Sequence, residues 1–168
     1  MKTEIPFWKT KTLTEMSKEE WESLCDGCGL CCLLKYKDDD MDDVIYTNIG
    51  CRLLDDETCR CSQYEDRHKH VPECVQMRPD TIPDWMPDSC AYKLLDQGRD
   101  LPNWHPLVTG DPNTVHEEGI SVQGKVISEA FISVEDIEAQ VRDSLVDGLA
   151  SGEMKHPKVE NKPPEQDA

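Results

Sequence analysis

Apolar positions along the chain come in short bursts, not in long periodic runs. Met16, Trp21 and Leu24 bracket a segment that opens on Ser17 with Glu20 three residues on, a capping box with hydrophobic-staple positions around it. This predicts a short helix that delivers the chain to Cys25, with Trp21 and Leu24 turned inward. Ahead of it, residues 1–16 read as an extended arm whose Pro6, Phe7 and Trp8 pack on the domain. Segments 33–37 and 44–48 carry strand-forming residues on either side of Asp38-Asp39-Asp40-Met41-Asp42-Asp43, which predicts a hairpin with an acidic turn. A calcium-binding EF-hand loop starting at Asp38 needs glycine at 43 and glutamate at 49. The chain has Asp43 and Ile49, so the run is read as a solvated turn.

Residues 49–87 read as irregular, broken by Pro72, Pro79, Pro83 and Pro87, with a short helix near 62–67. Asp88 or Ser89 caps a helix running to about Gln97 and stopped by Gly98. Ala91, Leu94 and Leu95 form its apolar stripe, and Cys90 shares the side of Leu94. Residues 99–119, with Pro102, Pro106, Gly110 and Pro112, read as a surface coil anchored by Trp104 and Leu107. Residues 120–127 alternate as a strand interrupted by Gly124. Ser133 and Asp136 mark a further helix cap, after which Val134, Ile137, Val141 and Leu145 share one face. The last residues, 151–168, hold three prolines and no periodicity, and read as a disordered tail. The expected fold is a small, irregular, loop-rich α+β domain stapled by cysteine-bound metal, with a C-terminal strand and helix. Its parts are an N-terminal arm and short helix (1–24), a cysteine-rich metal-binding domain (25–98), an extension packed on it (99–150) and the tail.

Composition sharpens this. Apolar residues are 37% of the 168, below the roughly 45–50% of ordinary globular chains, and 11 prolines and 9 glycines leave little length for a large core. With 18 basic against 35 acidic residues the formal charge is −17. That argues against phosphate-driven nucleic-acid binding and against anionic lipid surfaces. No apolar stretch nears the ~20 residues of a membrane span. The N-terminal segment lacks the apolar run of a secretory signal, so a cytoplasmic location is expected, where thiols stay reduced and disulfides are disfavoured.

The chemistry lies in the cysteines. All nine fall between Cys25 and Cys90. Cys25-Asp26-Gly27-Cys28-Gly29-Leu30-Cys31-Cys32 is followed by Cys51, Cys59, Cys61, Cys74 and Cys90. Two residues between ligands let a tight turn aim two sulfurs at one metal. Gly27 and Gly29 supply backbone freedom where that turn needs positive φ. Structural zinc contributes an apparent ~10–16 kcal/mol in small peptides, comparable with the ~5–15 kcal/mol net stability of a domain. Metal would therefore decide whether the cysteine-rich half folds. Cys31 and Cys32, if extended, point to opposite faces and serve two metals, or one ligates while the other packs. Two four-thiolate zinc centres would leave one cysteine spare, with Cys90 the expected one. A single four-iron cluster would leave five. Zinc and iron both accept thiolate, so the ligand chemistry leaves zinc and iron–sulfur open. His68 and His70 are alternative ligands but sit in a charged loop, Glu65 to His70, which favours a solvated role. His105 is expected to pack beside Trp104 and Pro106. No thiol is marked as a nucleophile, Cys90 being poorly placed beside Asp88. Phosphate-binding glycine patterns are absent, and no catalytic motif is recognised.

The segments PFWKTKTLTEMSKEEWESLCDGCGLCC, CRLLDDETCRCSQYEDR, CAYKLLDQGRDLPNWHPLVTG and GISVQGKVISE resemble the bacterial YcgN-like family, a branch of the CxxCxxCC proteins described as zinc- or iron-chelating domains. The resemblance runs from about Pro6 to Glu129. It implies a metal site built from Cys25, Cys28, Cys31, Cys32, Cys51, Cys59, Cys61 and Cys74, with Cys90 as a ninth. A distantly related flagellin lysine methylase with a similar cysteine signature uses an iron–sulfur cluster, but no methyl-donor motif accompanies the cysteines here. The resemblance thus names a site and not an activity. Three classes follow: a zinc or iron protein whose metal organises an interaction surface, an iron–sulfur redox or modifying enzyme, and a metal buffer or delivery protein.

Overall fold

A computed structural model describes residues 4–36 and 45–137. The expected extended arm instead winds into a four-residue helix, α1 (Phe7–Thr10), and a 3-10 turn over Leu13–Glu15. A second capping box, between Thr12 and Glu15, starts the 3-10 turn. Phe7 and Trp8 pack on the domain as expected. Ser17 then caps α2 (Lys18–Ser23), accepting the Glu20 N–H at 3.1 Å while the Glu20 carboxylate accepts the Ser17 N–H at 2.8 Å. Leu24 ends this helix fully buried.

The expected hairpin is present as β1 (Leu33–Tyr36) antiparallel to β2 (Ile45–Gly50), with Leu33 opposite Gly50 and a bulge before Lys35. Its acidic turn, 37–44, lies outside the described residues. The stretch read as irregular contains a second hairpin, β3 (Leu54–Asp55) with β4 (Arg60–Cys61). The Asp55 carboxylate accepts the Glu57 and Thr58 N–H groups at 2.9 and 3.1 Å and closes its turn. The helix expected near 62–67 begins later, as α3 (Arg67–His70). In α4 (Ala91–Asp96) the cap residue is Cys90, not Asp88 or Ser89, and Gly98 at φ +71° stops it. The coil expected over 99–119 holds two single-turn helices, α5 (Pro106–Thr109) and α6 (Thr114–Glu117). Pro106 fits the first turn of α5 because no amide hydrogen is needed there.

The strand expected over 120–127 shrinks to β5 (Ile127–Ser128), parallel to β2. Gly119 and Gly124 take positive φ, and the Lys125 N–H bonds the Val122 carbonyl at 2.9 Å, so turns replace extended backbone. Ser133 caps a helical turn at 134–137 as expected, accepting the Asp136 N–H at 3.1 Å. The later part of that helix and the tail lie outside the described residues. Mixed short helices and sheets make the fold α+β. Among the described residues no helix is long and apolar enough to cross a membrane.

Two apolar clusters hold the chain. One gathers Leu30, Leu33, Tyr46, Val115 and Val122 with Cys28 and Cys59. The other gathers Leu24, Ala91, Tyr92 and Leu101 with Phe7, Trp21 and Leu107 at its margin. His105 ties the second cluster to the cysteine segment. Its Nε2 bonds the Leu24 carbonyl at 2.8 Å and its Nδ1 accepts the Leu107 N–H at 3.0 Å. Those roles fix the neutral Nε2–H tautomer, and burial depresses the ring's pKa.

Two substitutions test this scaffold. Gly29 sits at φ +77°, and a Cβ there would lie 2.7 Å from Val122 Cγ2. Gly29→Ala is expected to cost ~1–3 kcal/mol, read as a lower urea midpoint; an unchanged midpoint would contradict the packing described. His105→Ala is expected to cost ~2–4 kcal/mol, because it empties a buried site and strands a carbonyl and an amide; thermal unfolding measures it.

Candidate metal centre

The segment from Cys25 to Cys32 crosses from one apolar cluster to the other, and local chemistry sets its path. Asp26 Oδ1 accepts the Cys28 N–H at 2.9 Å. Gly27 and Gly29 both take positive φ, as the spacing predicts. The Arg60 guanidinium covers Gly27 so closely that a Cβ there would lie 3.1 Å from Nη2. The Val122 N–H bonds the Cys28 carbonyl at 2.9 Å, pinning the segment from the C-terminal half. Leu30–Cys32 form a 3-10 turn and not extended backbone, so the opposite-face argument for Cys31 and Cys32 does not apply in its simple form.

Cys25, Cys28, Cys31 and Cys90 line one cavity of about 30 Å³, together with Asp26, Leu24, Met77, Met86, Ala91 and Tyr92. Three of these thiols come from the loop and the fourth from the cap of α4. Cys25 is exposed and forms the outer wall, whereas Cys28 is buried. The cavity suits an occupant of ionic or water size, far below the ~300–1,000 Å³ of small-molecule sites.

A second set lies on the other side of the turn. The Cys51 N–H bonds the Cys32 carbonyl at 2.8 Å, and Cys51 Sγ accepts the Leu53 N–H at 3.5 Å. Cys32 lies within electrostatic reach of Cys51 and Cys74. Cys59 goes elsewhere. It is 4% exposed in the first apolar cluster, at the only positive φ of a non-glycine among the described residues. Cys61 stands on β4 opposite Leu54. Among the described residues no group of three or more His, Cys, Asp or Glu side chains is placed to hold a metal ion. The thiols are gathered by the fold without being drawn to a common point.

Burial pushes the Cys90 thiol up to about 12, with the Asp26 charge adding to the effect. Cys28 is raised for the same two reasons in the same order. Cys31 moves the other way, to about 7, because Cys32 donates a hydrogen bond to its sulfur; the Lys35 ammonium assists. Cys32, as that donor, is raised. Burial also raises Cys74, against the pull of Arg67. Lys35 is held by its own neighbours, donating to the Cys31 and Leu33 carbonyls at 2.7 and 2.9 Å and lying over the Trp85 ring at 4.7 Å.

The donor set therefore fits a soft cation. Cationic side chains lie around the sulfurs. Sequence reasoning passed over Asp26, Lys35 and Arg60. Each is adjacent to or a few residues from a cysteine, the one signal that pointed to them. His68 sits in α3 with Nε2 buried and unbonded, while His105 has both nitrogens engaged, as packing suggested.

Residues 24–91 match the family model described as "CxxCxxCC: Putative zinc- or iron-chelating domain". A UPF0260 protein of Rhizobium etli is 56% identical over 142 residues, covering 83% of this chain and 90% of that protein. One from Ectopseudomonas mendocina is 56% identical over 135 residues, 79% of this chain and 91% of that protein. A third, from Granulibacter bethesdensis, is 55% identical over 127 residues, 74% of this chain and 76% of its own length. No solved structure matches the chain. With its cysteine segment matched by the chelating-domain model and most of its length shared with these relatives, the chain belongs to the UPF0260 family of CxxCxxCC proteins.

Proposed function

We propose that the protein binds zinc or iron through cysteine thiolates, and that the metal organises the cysteine-rich region as a structural or interaction module in the cytoplasm. One observation carries this reading: four thiols from segments up to 65 residues apart, Cys25 to Cys90, line a single ion-sized cavity. Cys25, Cys28, Cys31 and Cys90 would hold the first ion. Cys32, Cys51 and Cys74 would contribute to a second. Cys59 is left out, since its surroundings are Val115, Val122 and Leu54. A bound dication supplies the positive charge that lets buried sulfurs exist as thiolates.

An iron–sulfur enzyme and a metal carrier are the competing readings. The cavity's size favours the first proposal, because it leaves no space for an organic substrate beside a metal.

Metal analysis of anaerobically purified protein is expected to find at least one zinc or iron per chain. Cys28→Ser should lose that metal, while Cys59→Ala should keep it and lose only stability. Colourless protein that unfolds on chelation indicates zinc, and brown, oxygen-sensitive protein indicates an iron–sulfur cluster. A chain whose nine thiols all titrate freely without metal contradicts the proposal.

Loading must also displace protons from the cavity's thiols. Zinc uptake is therefore expected to acidify a weakly buffered solution and to tighten as pH rises, measurable by calorimetry in buffers of different ionisation heat.

A further inference from the structure

Asp26 lies between two cysteines of the motif and is only 5% exposed. One carboxylate oxygen has a structural task, since Oδ1 accepts the Cys28 N–H at 2.9 Å. That task needs no charge: asparagine or serine performs the same turn. The other oxygen, Oδ2, is buried with no hydrogen-bond partner. The residue lines the same cavity as Cys25, Cys28, Cys31 and Cys90. An unpaired buried carboxylate costs several kcal/mol as an order of magnitude, so buried acids are ordinarily held neutral, paired or bound to metal, and burial raises the Asp26 pKa accordingly.

Nearby cations do not fill the role. Arg60 covers Gly27 and lies within electrostatic reach of the Asp26 carboxyl, but makes no bond to Oδ2. His105 bonds the Leu24 carbonyl through one nitrogen and the Leu107 N–H through the other, so its ring has no hydrogen to offer Oδ2. Asp26 lines the cavity together with the four cysteines, and no described group bonds its Oδ2.

We infer that Asp26 is itself a metal ligand, its Oδ2 supplying an oxygen donor beside the cavity's thiolates. This rests on the metal reading above and narrows it. In a four-coordinate site Asp26 would take the place of one of the four cavity sulfurs, and three thiolates with one carboxylate place four negative charges around a dication, the same total as four thiolates. Mixed ligation shifts the site away from the softest ions, since carboxylate oxygen is a harder donor than sulfur.

The distances differ enough to be measured: about 2.0–2.2 Å for a carboxylate oxygen on zinc against about 2.3 Å for sulfur. X-ray absorption on the zinc-loaded full chain is expected to show one short light-atom contact besides sulfur. Asp26→Asn keeps an acceptor for the Cys28 N–H but removes the charge. It is expected to weaken zinc binding by roughly 10–100-fold, the range lost when groups serving a metal are removed, and to shift the visible bands of the cobalt-loaded protein. A sulfur-only shell in the wild-type chain overturns the inference even if the variant fails to fold. So does an Asn variant with unaltered zinc affinity and cobalt spectrum. Those results leave the thiolate reading standing. Wild-type protein that takes up none of zinc, cobalt and iron sinks both.

Discussion

Five groups able to carry negative charge, four thiols and one carboxyl, share a small cavity, and no cationic side chain is among its walls. In that setting charge is expensive and neutrality is the default. The protein relieves this only from outside. Lys35 stands behind Cys31, Arg60 behind Gly27 and Arg67 near Cys74. A chain of net charge −17 thus places three of its 18 basic residues around its thiols. The pattern is that of a site built to receive positive charge.

The same arrangement explains how a chain with so little apolar content keeps a defined fold. Neither cluster is large, and the connection between them is the cysteine segment itself. Leu24 belongs to one cluster and Cys28 with Leu30 to the other. Long-range polar contacts reinforce the junction. The Tyr92 hydroxyl donates to the Trp21 carbonyl at 2.8 Å and the Tyr46 hydroxyl to the Trp85 carbonyl at 2.6 Å. Each spans tens of residues of sequence, so loss of the junction frees long loops whose entropy opposes folding.

What could be read from the residues alone was what local chemistry determines. Ser17 with Glu20, Gly27 and Gly29, the β1–β2 hairpin and the Ser133 cap are short-range features, and each is present. The second box at Thr12 and Glu15 obeyed the same rule and was overlooked within an arm read as extended. The strand over 120–127 failed because alternation was given more weight than its flanking glycines. The two thiol sets were beyond reach, since they depend on the Cys51 N–H meeting the Cys32 carbonyl and on Cys90 opening α4. Cys59 looks like its neighbours in sequence; Cys28 shares its apolar cluster but lines the cavity, and Cys59 does not.

Cys31 and Cys32 are consecutive residues of one 3-10 turn whose thiols meet in a hydrogen bond; Cys31 also lines the cavity, and Cys32 lies within electrostatic reach of Cys51 and Cys74. Neighbouring Cα atoms are about 3.8 Å apart across a planar peptide, and a three-residue turn has no slack to absorb a shift. The turn is in effect a rocker. A displacement that draws Cys31 inward tilts Cys32 with respect to Cys51, so neither side can be rearranged without mechanical consequence for the other.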